Sequence, residues 1–308
     1  MKSNIPNPSE DKENFCQKQK ISNPNSSVRS FGNDITNLVL QPSHLNDSDS
    51  KPSSAVEEYA EEIYTYLQLV DTTNKAKWGY MDTQIEINEH LRAILVDWLV
   101  EVGSRIDASS ETLFLTVNIL DRYLEKVQVK LNSLQLIGVS SLFIACKYEE
   151  TWIPATSDLT HVSGDTFTSE EILNMEVKIL IKLEFKLTVA TPFRFLERYA
   201  QLENMDNFSF NFSRYLIELS LGDYNMLKYR PSEIAASSVY VTSKLLGKPI
   251  SLLLSLLKEI GYTEEALQDC SLSLCKLVQS PRSSALRFIA KKFSVPWLSK
   301  IADIKNLI

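Results

Sequence analysis

The chain holds little of what most chemistry requires. Its 308 residues include 4 cysteines, 3 histidines and 8 glycines. The cysteines (Cys16, Cys146, Cys270, Cys275) are scattered and none share C-x-x-C spacing, which argues against a zinc site or a disulfide framework. Cys146, inside the run SLFIACKY, reads instead as a small core hydrophobe. The two nearest glycines, Gly247 and Gly261, are 14 residues apart, so neither a P-loop nor a dinucleotide loop can be built. The His and Cys sets suggest no catalytic triad, and no cofactor is implied. Basic residues are outnumbered, 32 Lys and Arg against 39 Asp and Glu, for a net charge of −7. That balance argues against nucleic acid as the main partner, since phosphate binding relies on clustered cations. No apolar run approaches the roughly 18 residues of a membrane span, and the N-terminus lacks a signal peptide's apolar stretch. The expectation is a soluble protein of a reducing compartment, in nucleus and cytoplasm, with no membrane partner.

What the chain does have is apolar content, 44% hydrophobic residues, enough for two ordinary domains and a tail. Residues 1–54 form the tail. Ser, Asn and Pro supply 24 of its 54 positions, so it cannot bury enough surface to offset its ordering entropy and reads as disordered. From Ser54-x-x-Glu57, a capping-box pattern, helical spacing takes over: Val56, Tyr59, Ala60, Ile63, Tyr64, Leu67 and Val70, with Glu57, Glu58, Glu61 and Glu62 on the solvated side. Further helices are expected over about 89–105, 110–126 and 133–148, the last capped by Asn132. Another opens with the capping box Thr168-x-x-Glu171, and one more with the N-cap and N1 pair Thr191-Pro192. Ser280-Pro281-Arg282 reads as a turn rather than a proline-directed phosphosite. Strand alternation is nearly absent, so the fold class is all-α.

The chain also repeats itself. LQLIGVSSLFIACK (134–147) and PSEIAASSVYVTSK (231–244) align without a gap, placing Ser140-Ser141 on Ser237-Ser238, Phe143 on Tyr240 and Lys147 on Lys244. Upstream, ILDRY (119–123) echoes LGDYN (221–225). Small residues occupy the middle of both helices and allow neighbours to approach closely. Two tandem helical domains follow, over 55–188 with the N-terminal helix and over 189–308 with a C-terminal extension.

The segment HLRAILVDWLV (90–100) is apolar on every side. Leu91, Ile94, Leu95, Trp98 and Leu99 line one face, Ala93, Val96 and Val100 the other, and only Arg92, Asp97 and Glu101 interrupt them. Such a helix is normally buried all round. Either it is the central strut of a helical core, or part of it is a docking surface.

LRAILVDWLVEV, LDRYL, LQLIGVSSLFIACKYEE and LNMEVKIL, in this order and spacing, resemble the cyclin box, and the preceding YMDTQIEIN is similar to the approach to that box in mitotic cyclins of the A and B types. The resemblance covers roughly residues 55–290. YMDTQ-x-EIN looks B-like, whereas ATPFRFLERY and YNMLKYRPSEIAAS look A-like. The resemblance implies a non-catalytic subunit that binds and activates a cyclin-dependent Ser/Thr kinase as a heterodimer, completing the kinase's Lys–Glu ion pair, and that controls mitotic progression.

It also implies roles for single residues. Lys147 and Glu176 match the family's kinase-contacting pair, although spacing alone would make them ordinary surface charges. Arg92 and Asp121 are similar to a structural ion pair, and Leu136 belongs with the packing residues. Leu91, Ile94, Leu95 and Trp98, with Leu134 and Gln135, match a shallow exposed groove for Arg-x-Leu motifs of substrates or inhibitors, with Glu101 facing the arginine; the alternative is that they are simply core. Leu91 replaces the family's methionine, and Leu131 a frequent basic residue. In the tail, Lys12-Glu13-Asn14 resembles the KEN degron read by the anaphase-promoting complex. Arg29 to Asn37 resembles a destruction box, with Arg29, Ile35 and Asn37 fitting and Gly32 in the leucine position. Two other readings remain: a cyclin-fold scaffold, and a general-transcription-factor-like protein, neither activating a kinase.

Overall fold

The computed structural model describes residues 59–249, 251–259, 262–279 and 288–293. The tail with both degron elements, the Ser54–Glu57 box and the Ser280-Pro281-Arg282 triplet lie outside the described residues. Among those described there is no strand, and no helix is long and apolar enough to cross a membrane.

A first helix, α1 (Ala60–Val70), precedes two sets of five. The first set is α2 (Glu89–Arg105), α3 (Ser110–Lys126), α4 (Leu134–Glu149), α5 (Thr156–Val162) and α6 (Ser169–Lys182). The second is α7 (Pro192–Leu202), α8 (Asn207–Gly222), α9 (Pro231–Leu246), α10 (Ser251–Glu259) and α11 (Glu264–Gln279), and α12 (Phe288–Lys292) follows.

Local chemistry explains where these helices start. Asn88 accepts the Leu91 N–H at the head of α2, Ser109 the Thr112 N–H at α3, and Asp206 the Ser209 N–H at α8. The Thr168 side chain caps the Glu171 N–H while the Glu171 carboxylate returns to the Thr168 N–H. Thr191 caps α7, with Pro192 at N1. Each such cap typically stabilises by about 1 kcal/mol. Asn132 is not a cap: it lies in a 3-10 turn (Leu131–Ser133) that runs straight into α4, and its side chain accepts from Ser133 Oγ instead. The turn already satisfies part of the helix's first N–H set, as 3-10 bonds at helix ends do.

The helix in the middle of each repeat, α4 or α9, is buried nearly throughout, and its small residues make that possible. A Cβ on Gly138 would come within 2.9 Å of Leu95 Cδ1, so α2 can cross α4 at this distance only over glycine. Ser140 donates to the Ile172 carbonyl of α6, and Ser237, at the aligned position, to the Leu267 carbonyl of α11. The repeat is thus preserved down to a serine that satisfies its buried hydroxyl on the fifth helix.

Polar contacts join the two repeats. Arg92 of α2 grips both oxygens of Asp121 on α3 at 2.6 and 2.7 Å and reaches the Leu221 carbonyl of the second repeat at 2.9 Å. Tyr80 donates to Asp121 as well. Burial opposes the Arg92 charge, but Asp121 more than offsets it and holds the guanidinium above its usual range. Tyr224 accepts the N–H groups of Gly79 and Met81. Glu111 of α3 is bonded to Thr191 at the head of α7.

The short helix α12 contacts both repeats. Asp97 of α2 accepts the N–H groups of Phe288 and Ile289 at 3.0 and 3.3 Å, capping a helix 191 residues further along the chain. Lys292 bonds both oxygens of Glu218 on α8. Burial alone would push the Glu218 carboxyl up, but Lys292 and Arg214 outweigh it and hold it below the usual range. Ile289 and Phe293 fill a core shared with Val100, Leu113, Tyr215 and Val241.

Candidate functional site

Lys147 sits in the last turn of α4, and Glu176 in the middle of α6. The packing of α4 on α6 brings them together: Lys147 Nζ is 2.8 and 2.9 Å from the two Glu176 oxygens. The ammonium also lies 4.1 Å from the centre of the Phe143 ring, one turn back on α4. Glu176 is buried while Lys147 is partly exposed, side chains 10% and 39% accessible. A carboxylate that is mostly desolvated and held by a single lysine still has lone pairs able to accept, and the lysine has a third N–H able to donate.

The helix that carries Glu176 also exposes apolar side chains among its charged ones. Leu173, Val177 and Ile181 stand exposed at i, i+4 and i+8 along α6, one stripe of the helix, with Phe185 exposed just beyond its end. Tyr148 is exposed beside Lys147, and the chain leaving α4 carries Trp152, 89% accessible, and Ile153. Large exposed apolar side chains gathered in this way mark an interaction surface. The spacing 173, 177 and 181 was open to reading in advance; their exposure was not, because the same period serves a core face.

The second repeat holds a related cluster, with its lysine and ring at the aligned positions but its glutamate at the first residue of α11 and not at the place matching Glu176. Lys244 lies 5.1 Å from the Tyr240 ring centre and 3.4 Å from Glu264 at the start of α11, and Tyr240 donates to Glu264. The gapless alignment of α4 and α9 carried the lysine and the ring, and not the glutamate.

The α2 residues are placed differently from expectation. Leu91, Ile94, Leu95 and Trp98 of α2 and Leu134 and Gln135 of α4 do lie on two helices in contact, but all six are 0–8% accessible. In this structure α2 and α4 are closed against each other along these residues. At Leu95 the approach is closest, where Gly138 of α4 leaves room for its side chain. Glu101, half-buried, does not stand free: its carboxylate pairs with Arg105 one turn on at 2.5 Å. Leu136 is partly buried, and Leu131 sits half-buried in the 3-10 turn, its N–H on Glu86.

Asp97 and Glu218, central to the repeat junction, had no sequence signal, since their partners are remote in the chain. Glu111 is a further buried carboxyl there, pushed up to about 7 by burial, with Arg194 and Thr191 pulling the other way. Burial likewise raises the Cys146 thiol to about 12, leaving it inert. Among the described residues no group of His, Cys, Asp and Glu could hold a metal ion.

Comparison with known proteins places this arrangement. Residues 62–188 match the cyclin N-terminal domain and residues 190–307 the cyclin C-terminal domain. A G2/mitotic-specific cyclin-B of Dictyostelium discoideum is 37% identical over 271 residues, 88% of this chain and 62% of that protein. Cyclin-B1-3 of Arabidopsis thaliana is 42% identical over 246 residues, 80% of this chain and 59% of that one. The chain thus spans about three fifths of the length of the curated relatives it matches. In fold it is similar to a viral cyclin from herpesvirus saimiri, with a TM-score of 0.62 at 21% identity over 72% of this chain and 97% of that one. With both domains matched over most of its length, the chain belongs to the cyclin family.

Proposed function

We propose that the chain is the non-catalytic regulatory subunit of a cyclin-dependent Ser/Thr kinase, acting in mitosis in the manner suggested by the B-type names of its relatives. The observation that carries this reading is the Lys147–Glu176 pair set among exposed Leu173, Val177, Ile181, Phe185 and Trp152. The apolar side chains supply area to bury against a partner, and the paired charges supply direction. Lys147 is suited to donate to carbonyls at the end of a partner helix, and Glu176 to accept backbone N–H groups. In a desolvated interface each such charge-assisted bond contributes about 1.5–3 kcal/mol.

Docking of Arg-x-Leu motifs at α2 and α4 belongs to the same proposal. It requires Leu91, Ile94 and Trp98 to part around an incoming leucine, and Glu101 to meet the arginine. Control by the anaphase-promoting complex through Lys12-Glu13-Asn14 and the Arg29–Asn37 element, and residence in nucleus and cytoplasm, rest on the sequence alone.

The test is phosphate transfer to a Ser-Pro-x-Lys peptide by purified cyclin-dependent kinases phosphorylated on the activation loop. Strong stimulation on adding the chain is expected. No stimulation of any kinase in the set, with the chain shown folded by circular dichroism, would favour the scaffold reading.

A further inference from the structure

A cavity of about 360 Å³ lies between α1, the head of α3, the end of α4, the 187–189 link and α7. One wall is aliphatic, with Ile63, Leu67, Leu187 and Val189. The other is ionic. Arg194 stands among three carboxylates, 3.6 Å from Glu111, 3.6 Å from Glu149 and 3.3 Å from Glu197. Each approach is longer than the roughly 2.7–2.9 Å of a close charge-assisted bond. One guanidinium is thus spread over three acceptors and saturates none of them. Arg198, the other cation at the cavity, is held by Glu61, so four carboxylates answer two guanidiniums. Tyr64 is an independent observation. It borders the same cavity, is 4% accessible, and its hydroxyl completes no hydrogen bond among the described residues. Buried hydroxyls are normally paired, and a phenol oxygen accepts as well as donates.

We propose that this cavity binds a small organic monocation with a short aliphatic body, of the alkylguanidinium or alkylammonium class. Its head is taken by Glu149 and Glu197, whose side chains are 20% and 25% accessible, with an N–H left for the Tyr64 hydroxyl. Its body covers the aliphatic wall. The excess of carboxylate over guanidinium decides against an anion, and the aliphatic wall against a bare metal ion. The site uses neither Lys147 nor Glu176, so it stands or falls apart from the kinase reading. Binding is also linked to protons. Glu111 is faced by Arg194, Thr191, Glu149 and Glu197; burial pushes it up to about 7 and raises Glu149 as well. A bound cation favours the ionised carboxylates, so protons leave on binding and affinity rises between pH 6 and pH 8.

The experiment is a methyl NMR titration of the full chain, labelled on Ile, Leu and Val, with pentylguanidinium and with its neutral isostere pentylurea. The proteins are wild type, Glu149→Gln/Glu197→Gln, and Tyr64→Phe, which removes only the hydroxyl. For wild type, saturable shifts of Ile63, Leu67, Leu187 and Val189 are expected with pentylguanidinium, at a Kd on the order of a millimolar. Pentylurea should bind at least about fivefold more weakly, the scale of a partly covered ion pair. That preference should vanish in the double variant. Tyr64→Phe should weaken the cation about threefold, as loss of one hydrogen bond does, and wild type should bind it more tightly at pH 8 than at pH 6. The comparison of the two ligands on wild type holds whether or not the variants fold. Equal affinity for the two ligands, or no saturable shift at about tenfold that Kd, would overturn the site. An unchanged preference in the folded double variant would overturn the placing of the head on Glu149 and Glu197.

Discussion

The two repeats carry related small clusters in two different settings. In each, a lysine at the end of the central helix lies over an aromatic ring one turn back and pairs with a glutamate of the fifth helix. In the first repeat the glutamate side chain is 10% accessible; in the second it is 42%. Among the described residues the first repeat exposes Leu173, Val177, Ile181 and Trp152 on the elements of its pair, the second only Leu246 and Leu272. A shared lysine and ring thus give a related but looser pairing in the second repeat, 3.4 Å against 2.8 Å, while desolvation and the surrounding surface separate a binding element from an ordinary ion pair. Exposed ion pairs are worth about 0–1 kcal/mol, so the second pair is expected to matter little to anything.

The comparison extends to aspartates that align in ILDRY and LGDYN. Asp121 is fully buried and holds Arg92 and Tyr80; Asp223 is half-buried and accepts the Asn225 N–H at the head of the turn that follows. Asp121→Ala strands the Arg92 charge and should cost about 3–5 kcal/mol in urea unfolding. Asp223→Ala removes a cap-like bond and should cost only about 1 kcal/mol. Equal losses would contradict the asymmetry.

The C-terminal helix should act on both repeats at once. Phe293→Ala empties a site in the core shared by α2, α3, α8 and α9 and is expected to cost about 3–5 kcal/mol. The loss should appear as lowered protection in hydrogen exchange on α2 as well as α8; protection lost on α8 alone would mean that α12 belongs to one repeat.

A smaller and pH-dependent effect is expected from Glu111. Its carboxyl is pushed up to about 7, above the unfolded value near 4.3, so the folded chain holds this proton more tightly than the unfolded one. The stabilising contribution is complete below about pH 4 and is lost as pH rises towards 7. Glu111→Gln should therefore gain on wild type between pH 5 and pH 8, by at most about 3 kcal/mol. Melting curves of both proteins across that range should diverge with rising pH; a constant difference would show that Glu111 is not titrating there.

Much of this architecture was legible before any coordinates. The capping box at Thr168 and the Thr191-Pro192 start each rest on interactions within one turn, and each formed as written. The Arg92–Asp121 pair was reachable only through family resemblance. What escaped was tertiary. Asp97 caps a helix far along the chain, and no local pattern announces such a partner. Leu91, Ile94, Leu95, Trp98, Leu134 and Gln135 are 0–8% accessible, and that burial depends on tertiary packing that no local pattern announces. The Asn132 cap failed because a turn of 3-10 helix already did that work.

The central claim is that the first pair, and not its copy, meets a kinase. The direct measurement is the calorimetric Kd of a monomeric cyclin-dependent kinase for wild type, Lys147→Ala/Glu176→Ala and Lys244→Ala/Glu264→Ala, all shown folded. Loss of two charge-assisted bonds in a desolvated interface predicts a weakening of about a hundredfold or more for the first variant, and less than about threefold for the second. Equal weakening by the two variants, or none by the first, would contradict it.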